Sequence, residues 1–269
     1  MSTEIESTIS SLVVSLSKIE SIVAAGLSTQ RLPEKKEDGD VDVFIYCTKL
    51  PDEEEKNKAY EKVTFTKAPK HLFNSKHWGS ADYAEVKEIE IWIMYFVTEE
   101  VQNDIQRTVT GKNIGNDNGY YPVGRLAMYS RMTVLFERNS FLTKIKENLK
   151  IYPVEMKKEI ISYCKKELKN EEDLLRAVSR QDLLFFHISI DKAIDRLLQL
   201  LFAINNAYFP SRKRNKEYIC TFDKKPLDFY LRIQKVIEWG AKEETIRKSF
   251  DTFTDLRNET ISLLETDCG

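Results

Sequence analysis

The chain has 269 residues, 42% of them hydrophobic and 31% charged, with a formal net charge of −2. That composition suits a globular protein with a sizeable core, folded as one large domain or two. The charge balance allows a nucleic-acid surface only as a local patch, and no run of about 18 apolar residues offers a membrane span.

The first ten residues carry Glu4 and Glu6 and no basic residue, so no signal peptide is expected. Cys47, Cys164, Cys220 and Cys268 are scattered without a C-x-x-C spacing and read as reduced thiols of a cytoplasmic protein. Ile5, Ile9, Leu12, Val13, Leu16, Ile19 and Val23 recur at helical spacing and predict a helix over 5–25. Gly26, Pro33 and a charged stretch then predict a loop, and "VDVFIYC" (41–47) predicts a strand of β-branched and aromatic residues. A polar connection leads to an expected strand at "KVTFTK" and a loop holding His71, His77 and Gly79, whose histidines read as surface or lid residues. "EVKEIEIWIMYFV" (85–97) is the strongest strand signal, with Glu88, Glu90, Trp92, Met94 and Phe96 on one face. Thr98 and Gly111 bracket an expected helix. A Gly/Asn-rich loop, "GKNIGNDNGYYPVGR", precedes a further strand expected near Met132 to Phe136.

After about residue 140 helical patterns take over, at roughly 140–149, 154–168, 170–207, 226–239 and 242–266. The expected division is therefore an α/β part over 1–139 and an all-helical part over 140–269, an α+β protein as a whole.

Asp40 and Asp42 stand at the start of the "VDVFIYC" strand. Alternate residues of a strand share a face, so the two carboxylates project together about 7 Å apart. They repel each other unless a cation lies between them, and Mg²⁺ takes one or two carboxylates while keeping positions for water and phosphate oxygens. Glu90, an acid on a very apolar strand, is the candidate third carboxylate, with Glu88 as its substitute. The alternative is plain: Asp38-Gly39-Asp40 is a turn and Asp42 an exposed strand residue.

A helix, then Gly26-Leu27-Ser28, Arg31, a strand bearing Asp-x-Asp and a later acidic strand resemble the minimal nucleotidyltransferase core. The resemblance implies that Gly26, Ser28 and Arg31 contact the phosphates of a nucleoside triphosphate, with ATP the expected donor. It implies that Asp40, Asp42 and Glu90 hold Mg²⁺ and are catalytic. The family's adjacent Gly-Ser is here split by Leu27. "RAVSRQDLLFFHISIDKAIDRLLQLLFAINNAYFPSRKR" (176–214), "YYPVGR" (120–125) and "FDKKPLDFYLR" (222–232) resemble the helical domain of unknown function that follows such cores in bacterial proteins. More loosely, the chain is similar to aminoglycoside and lincosamide nucleotidyltransferases, which implies a small-molecule hydroxyl as acceptor.

In the helical half, Arg180, Leu184, His187 and Asp191 share one face of the expected 170–207 helix. His187 with Asp191 reads either as an oriented base for hydroxyl attack or as part of an interhelical network. Arg212 and Lys213, in "FPSRKRNK", read either as a triphosphate clamp or as a solvated loop. Arg125 touches substrate or braces the core. The function expected from these residues is Mg²⁺-dependent transfer of a nucleoside monophosphate to a hydroxyl. Its rival is a degenerate core that binds a nucleotide or another protein without turnover. A polymerase-type role on nucleic acid finds no long Lys/Arg stripe to support it.

Overall fold

The computed structural model describes residues 3–28, 37, 39–116, 119–213 and 215–264. It is an α+β protein, a six-stranded mixed sheet with helices followed by a helical C-terminal part. The residues group into two compact units, one of 1–107 with 125–151 and one of 108–124 with 152–269. The expected boundary at 139/140 thus falls inside the first unit, which keeps 140–151.

In the first unit α1 (Thr3–Leu16) is followed by β1 (Ile22–Leu27) and β2 (Val41–Cys47). Next come α2 (Glu53–Tyr60), β3 (Lys67–Ser75), β4 (Gly79–Val86) and β5 (Ile89–Val97). After α3 (Thr98–Val109) and α4 (Pro122–Arg131), whose residues 108–109 and 122–124 belong to the second unit, β6 (Thr133–Glu137) and α5 (Phe141–Asn148) complete the order. The sheet runs β3-β4-β5-β2-β1-β6, antiparallel except for the β2–β5 pair at its centre.

Period-2 alternation gives the central strands two faces. Val41, Val43, Ile45, Ile91 and Ile93 are fully buried in one core with Ile5, Ile9, Leu12 and Leu16 of α1. On the other face Phe44 stacks on Phe96 at 5.8 Å, and Tyr46 packs against Phe96, Tyr129 and Phe141.

Several expectations are corrected here. The helix expected over 5–25 ends at Leu16, and "IVAAGL" is a strand. Alanine favours helix by itself, but β1 is paired on both sides, to β2 and β6, and that double ladder outweighs propensity. No strand forms at "KVTFTK"; β3 begins at Lys67, and it is an exposed edge strand with Pro69 in it. An edge strand wet on both sides has no apolar alternation to read, and it carries His71, expected in a loop. The run 85–97 is two strands, broken at Lys87 and Glu88, whose φ values of 48° and 65° make a two-residue hairpin turn. Glycine and asparagine usually announce such a turn, and here neither is present. Residues 122–125, expected as the end of a loop, open α4, which runs on to Arg131 and is entered at Pro122, where a missing N–H costs nothing. The polar connection after β2 holds α2, closed by a capping box in which Glu55 N–H donates to Asp52 and Asp52 N–H donates to Glu55.

In the second unit the helices are α6 (Val154–Leu168), α7 (Glu172–Arg180), α8 (Leu183–Ile204), α9 (Asn215–Thr221), α10 (Phe229–Gly240) and α11 (Ile246–Ser262). The single helix expected over 170–207 is α7 and α8, divided at Gln181 in the left-handed region (φ 53°). Asp182 caps α8 by accepting from Phe185 N–H at 3.0 Å. Arg180 therefore lies on a different helix from His187. The centre of this unit is α8, whose Leu197, Leu200, Leu201 and Phe202 are fully buried, packed by α6, α7, α10 and α11.

One polar cluster lies inside the first unit. Asp82 of β4, 2% exposed, accepts from Lys56 Nζ at 2.9 and 3.1 Å and from Tyr60 Oη at 2.7 Å, with His71 Nδ1 at 3.1 Å. Removing one member strands a buried charge, which costs more than the pair contributes. Asp82→Ala is expected to destabilise the protein by about 3–5 kcal/mol, measured as a lower urea midpoint with unchanged slope. An unchanged midpoint would show that water takes over from the carboxylate.

Candidate functional site

The β1–β2 and β2–β5 ladders build the site. Val41 and Val43 must enter the core, so Asp42 between them projects to the opposite face, beside its cross-strand partner Trp92. Ser28 follows the last residue of β1. Its N–H reaches the Asp42 carbonyl at 3.4 Å, and its Oγ donates to Asp42 Oδ2 at 3.2 Å. Asp40 is exposed just before the strand. Burial first, and then the charge of Asp40, push the Asp42 carboxyl up from 3.8 to about 6, against the Ser28 hydrogen bond and the charge of Arg125.

Arg125 lies over the rings of Trp78, Phe96 and Phe44 at 5.0, 5.1 and 5.5 Å and donates to the His77 carbonyl at 2.7 Å. Of its two sequence readings, the bracing one is what these contacts describe. A cavity of about 590 Å³ in the same unit is lined by Tyr95, Phe96, Glu100, Asp104 and Arg107, at the other end of the parallel pair, and Asp40 and Asp42 are not among its walls.

The remaining expected residues divide clearly. The register puts Glu90 on the face of Asp42, two residues before Trp92 and opposite Glu85. Among the described residues no three of His, Cys, Asp and Glu are grouped so as to hold a metal ion. Two crowded carboxylates, one lifted to about 6, still suit a cation that takes few protein oxygens and completes its shell with water and phosphate. Gly26 is not in a turn: it is inside β1, where a Cβ would come within 2.5 Å of Met132 Sδ. Its lack of a side chain makes room for Met132. Arg31 lies outside the described residues.

In the second unit, Asp195 of α8 is 1% exposed. It accepts from Tyr121 Oη at 2.6 Å, Gln199 Nε2 at 2.7 Å, Arg196 Nη1 at 2.8 Å and Arg212 Nε at 3.0 Å. Arg212 Nη1 also donates to both oxygens of Asp191, at 2.6 and 2.5 Å. Burial alone would lower the Arg212 pKa, but these bonds to Asp191 and Asp195 outweigh it and push it up. Arg212 is thus tied into a network, and Lys213 beside it is exposed. Asp191 is occupied by Arg212 and no hydrogen bond joins it to His187, whose ring lies edge-on to Phe186. The network reading of the α8 stripe is the one these bonds describe. Tyr121, 74 residues away in sequence from Asp195, carried no local signal of its place in it.

Residues 120–214 match the family model described as a domain of unknown function, DUF4037. This segment runs from the residue before Tyr121 past Arg212, so both ends of the Asp195 network fall within it. No curated protein matches the chain. Among solved structures, the chain is similar to a nucleotidyltransferase-like protein from Exiguobacterium sibiricum, at 15% identity and a TM-score of 0.49, over 97% of this chain and 78% of that one.

The raised carboxyl of Asp42 has a consequence for stability. Between pH 3.8 and about 6 the folded state holds a proton that the unfolded chain has released. Stability therefore falls as pH rises through that window, by about 1–3 kcal/mol. Asp42→Asn lacks this loss. It is expected to match wild type near pH 4 and to exceed it near pH 7, in urea melts at both values. A difference that is independent of pH would remove Asp42 as the titrating group.

Proposed function

We propose that this protein transfers a nucleoside monophosphate from a nucleoside triphosphate to a hydroxyl group of a small molecule, with Mg²⁺ bound at Asp40 and Asp42. The observation that carries the reading is the Asp40–Asp42 pair at the head of a central strand, with Ser28 Oγ bonded to Asp42 and the Asp42 carboxyl raised to about 6. A bound cation would stabilise the charged form of a largely buried carboxylate that stands beside a second acid. The sequence resemblance to the nucleotidyltransferase core points to the same residues.

In this reading Asp40 and Asp42 supply the protein's two oxygens to the cation, and Ser28 holds Asp42 in orientation. The bound Mg²⁺ would neutralise phosphate charge as it develops. The acceptor oxygen forms a bond to the α-phosphorus as the bond to the bridging oxygen breaks, pyrophosphate leaves with that electron pair, and the hydroxyl proton passes to solvent or a base. Ser28 remains the candidate phosphate contact after β1, because the Gly26 position is filled by Met132.

That packing also favours a second reading, a core that holds a nucleotide without turnover, since no glycine turn is present there to wrap a triphosphate. The two readings agree on binding and part on chemistry.

Thermal unfolding with ATP, GTP, CTP and UTP, each with and without Mg²⁺, tests both on wild type and Asp40→Asn. Ligand at about 100 times its dissociation constant adds about 2.7 kcal/mol, a rise of several degrees. The expected result is a Mg²⁺-dependent rise for one nucleotide that disappears in Asp40→Asn. No rise with any nucleotide, or one untouched by the substitution, would sink the assignment of the acids. Pyrophosphate release with a panel of hydroxyl acceptors then separates transfer from binding alone.

A further inference from the structure

The second unit contains a cavity of about 370 Å³ between α8, α9 and α10, within the range of small-molecule sites. Its long axis follows from the direction of the two longer helices. Phe186, near the start of α8, lies against Gly240, the last residue of α10, where a Cβ would come within 2.7 Å of the Phe186 ring. Asn205, just past α8, donates through Nδ2 to the Lys224 carbonyl at 2.8 Å and accepts from Lys224 N–H at 3.1 Å, shortly before α10 begins. The two helices are therefore antiparallel. Ile190, Ile194 and Leu198 line the cavity at single-turn spacing along α8, and Ile233 and Ile237 line it from α10. At 1.5 Å per residue this aliphatic wall is about 12 Å long.

The charges at the cavity are uneven. Asp191 and Asp195 line it, but two arginines match them: Arg212 bonds both, and Arg196 bonds Asp195. Lys216 is the cation left over. Its ammonium stands 5.8 Å from the centre of the Tyr230 ring, and among the described residues no carboxylate pairs with it. Tyr230 is in the first turn of α10, so the antiparallel arrangement sets it and Lys216 toward the Leu198 end. Ile237, two turns on, marks the other end and is 52% exposed. One unmatched positive charge thus stands at the head of a long apolar wall whose far end is wet.

We infer that this cavity binds an unbranched aliphatic monocarboxylate, its head at Lys216 and its chain laid along the isoleucines to Ile237. A single surplus charge suits a singly charged head, and an elongated wall favours a chain over a compact ring. Covering the wall and Ile237 with methylenes removes apolar surface from water. The inference is independent of the proposed transfer reaction and needs neither Mg²⁺ nor nucleotide.

The test is ligand-observed NMR titration of the full chain at pH 7, without Mg²⁺, using butanoate, hexanoate and octanoate. Octanamide serves as a neutral ligand with the same chain. Wild type, Lys216→Gln, Lys235→Gln, Ile194→Trp and Asp42→Asn are compared, with circular dichroism and thermal melts to verify folding. Lys216 and Lys235 are both exposed, and both glutamine variants are expected to melt as wild type does. Affinity should rise by about three- to fourfold for each added methylene. Octanoate should bind wild type, Lys235→Gln and Asp42→Asn equally, lose about tenfold in Lys216→Gln, and be excluded by Ile194→Trp. Octanamide should bind more weakly and be indifferent to Lys216→Gln. No binding of octanoate to wild type at millimolar concentration overturns the proposal. So does octanoate binding that Lys216→Gln leaves unchanged or Lys235→Gln weakens equally, or a series in which affinity does not rise with chain length.

Discussion

The parallel ladder between β2 and β5 is the constraint on which the first unit depends. It pairs Val41 with Ile91, Asp42 with Trp92 and Val43 with Ile93, and so on to Cys47 with Val97. Since the side-chain period of a strand is two, this one register sends Val41, Val43, Ile45, Ile91 and Ile93 into the core beneath α1. The same step leaves Asp42 on the opposite face, with Phe44 and Tyr46 beyond it. A slip of one residue would bury Asp42 and expose three core side chains. The hydrophobic core therefore fixes the acid's direction, with Ser28 delivered to it by the β1–β2 pairing.

The two units treat buried polar groups differently. Asp82 and Asp195 are almost fully buried, yet each accepts hydrogen bonds from several donors, which offsets the loss of water. Asp42 is half-buried with one hydroxyl and a neighbouring negative charge, and its carboxyl rises accordingly. Asn215 is buried with no partner. The buried polar groups thus form a gradient of hydrogen-bond satisfaction. Asp42 and Asn215 stand at the unsatisfied end, one in each unit.

Much of this was legible in the residues, and the failures have identifiable causes. The strand at 41–47, the helices near 98–109 and 154–168 and the helical texture after 140 follow from strong periodicity. The shared face of Asp40 and Asp42 is legible because strand alternation is local, whereas Ser28 is singled out only by the resemblance of Gly26-Leu27-Ser28 to the nucleotidyltransferase motif. Gly26 was misplaced because a short alanine-rich strand has no period of its own and is made by two neighbours. The hairpin at Lys87 and Glu88 was hidden by turn residues without glycine, and the α7–α8 break by a left-handed Gln181. The clamp reading of Arg212 missed Asp195 and Tyr121 because hydrogen bonds across 17 and 74 residues have no signature in local spacing.

The sequence alone determined which segments could be helix or strand, that one strand opens on two acids, and that charges interrupt an apolar helix. These are properties of neighbours along the chain, where propensity and periodicity act. Only the tertiary structure decided which of those charges are already matched. It joined Arg212 to Asp191 and Asp195, set Ser28 beside Asp42 and put Asn215 in a cavity wall. The reason is physical: whether a polar group is satisfied depends on what the fold brings within about 3 Å of it, and those atoms come from distant parts of the chain.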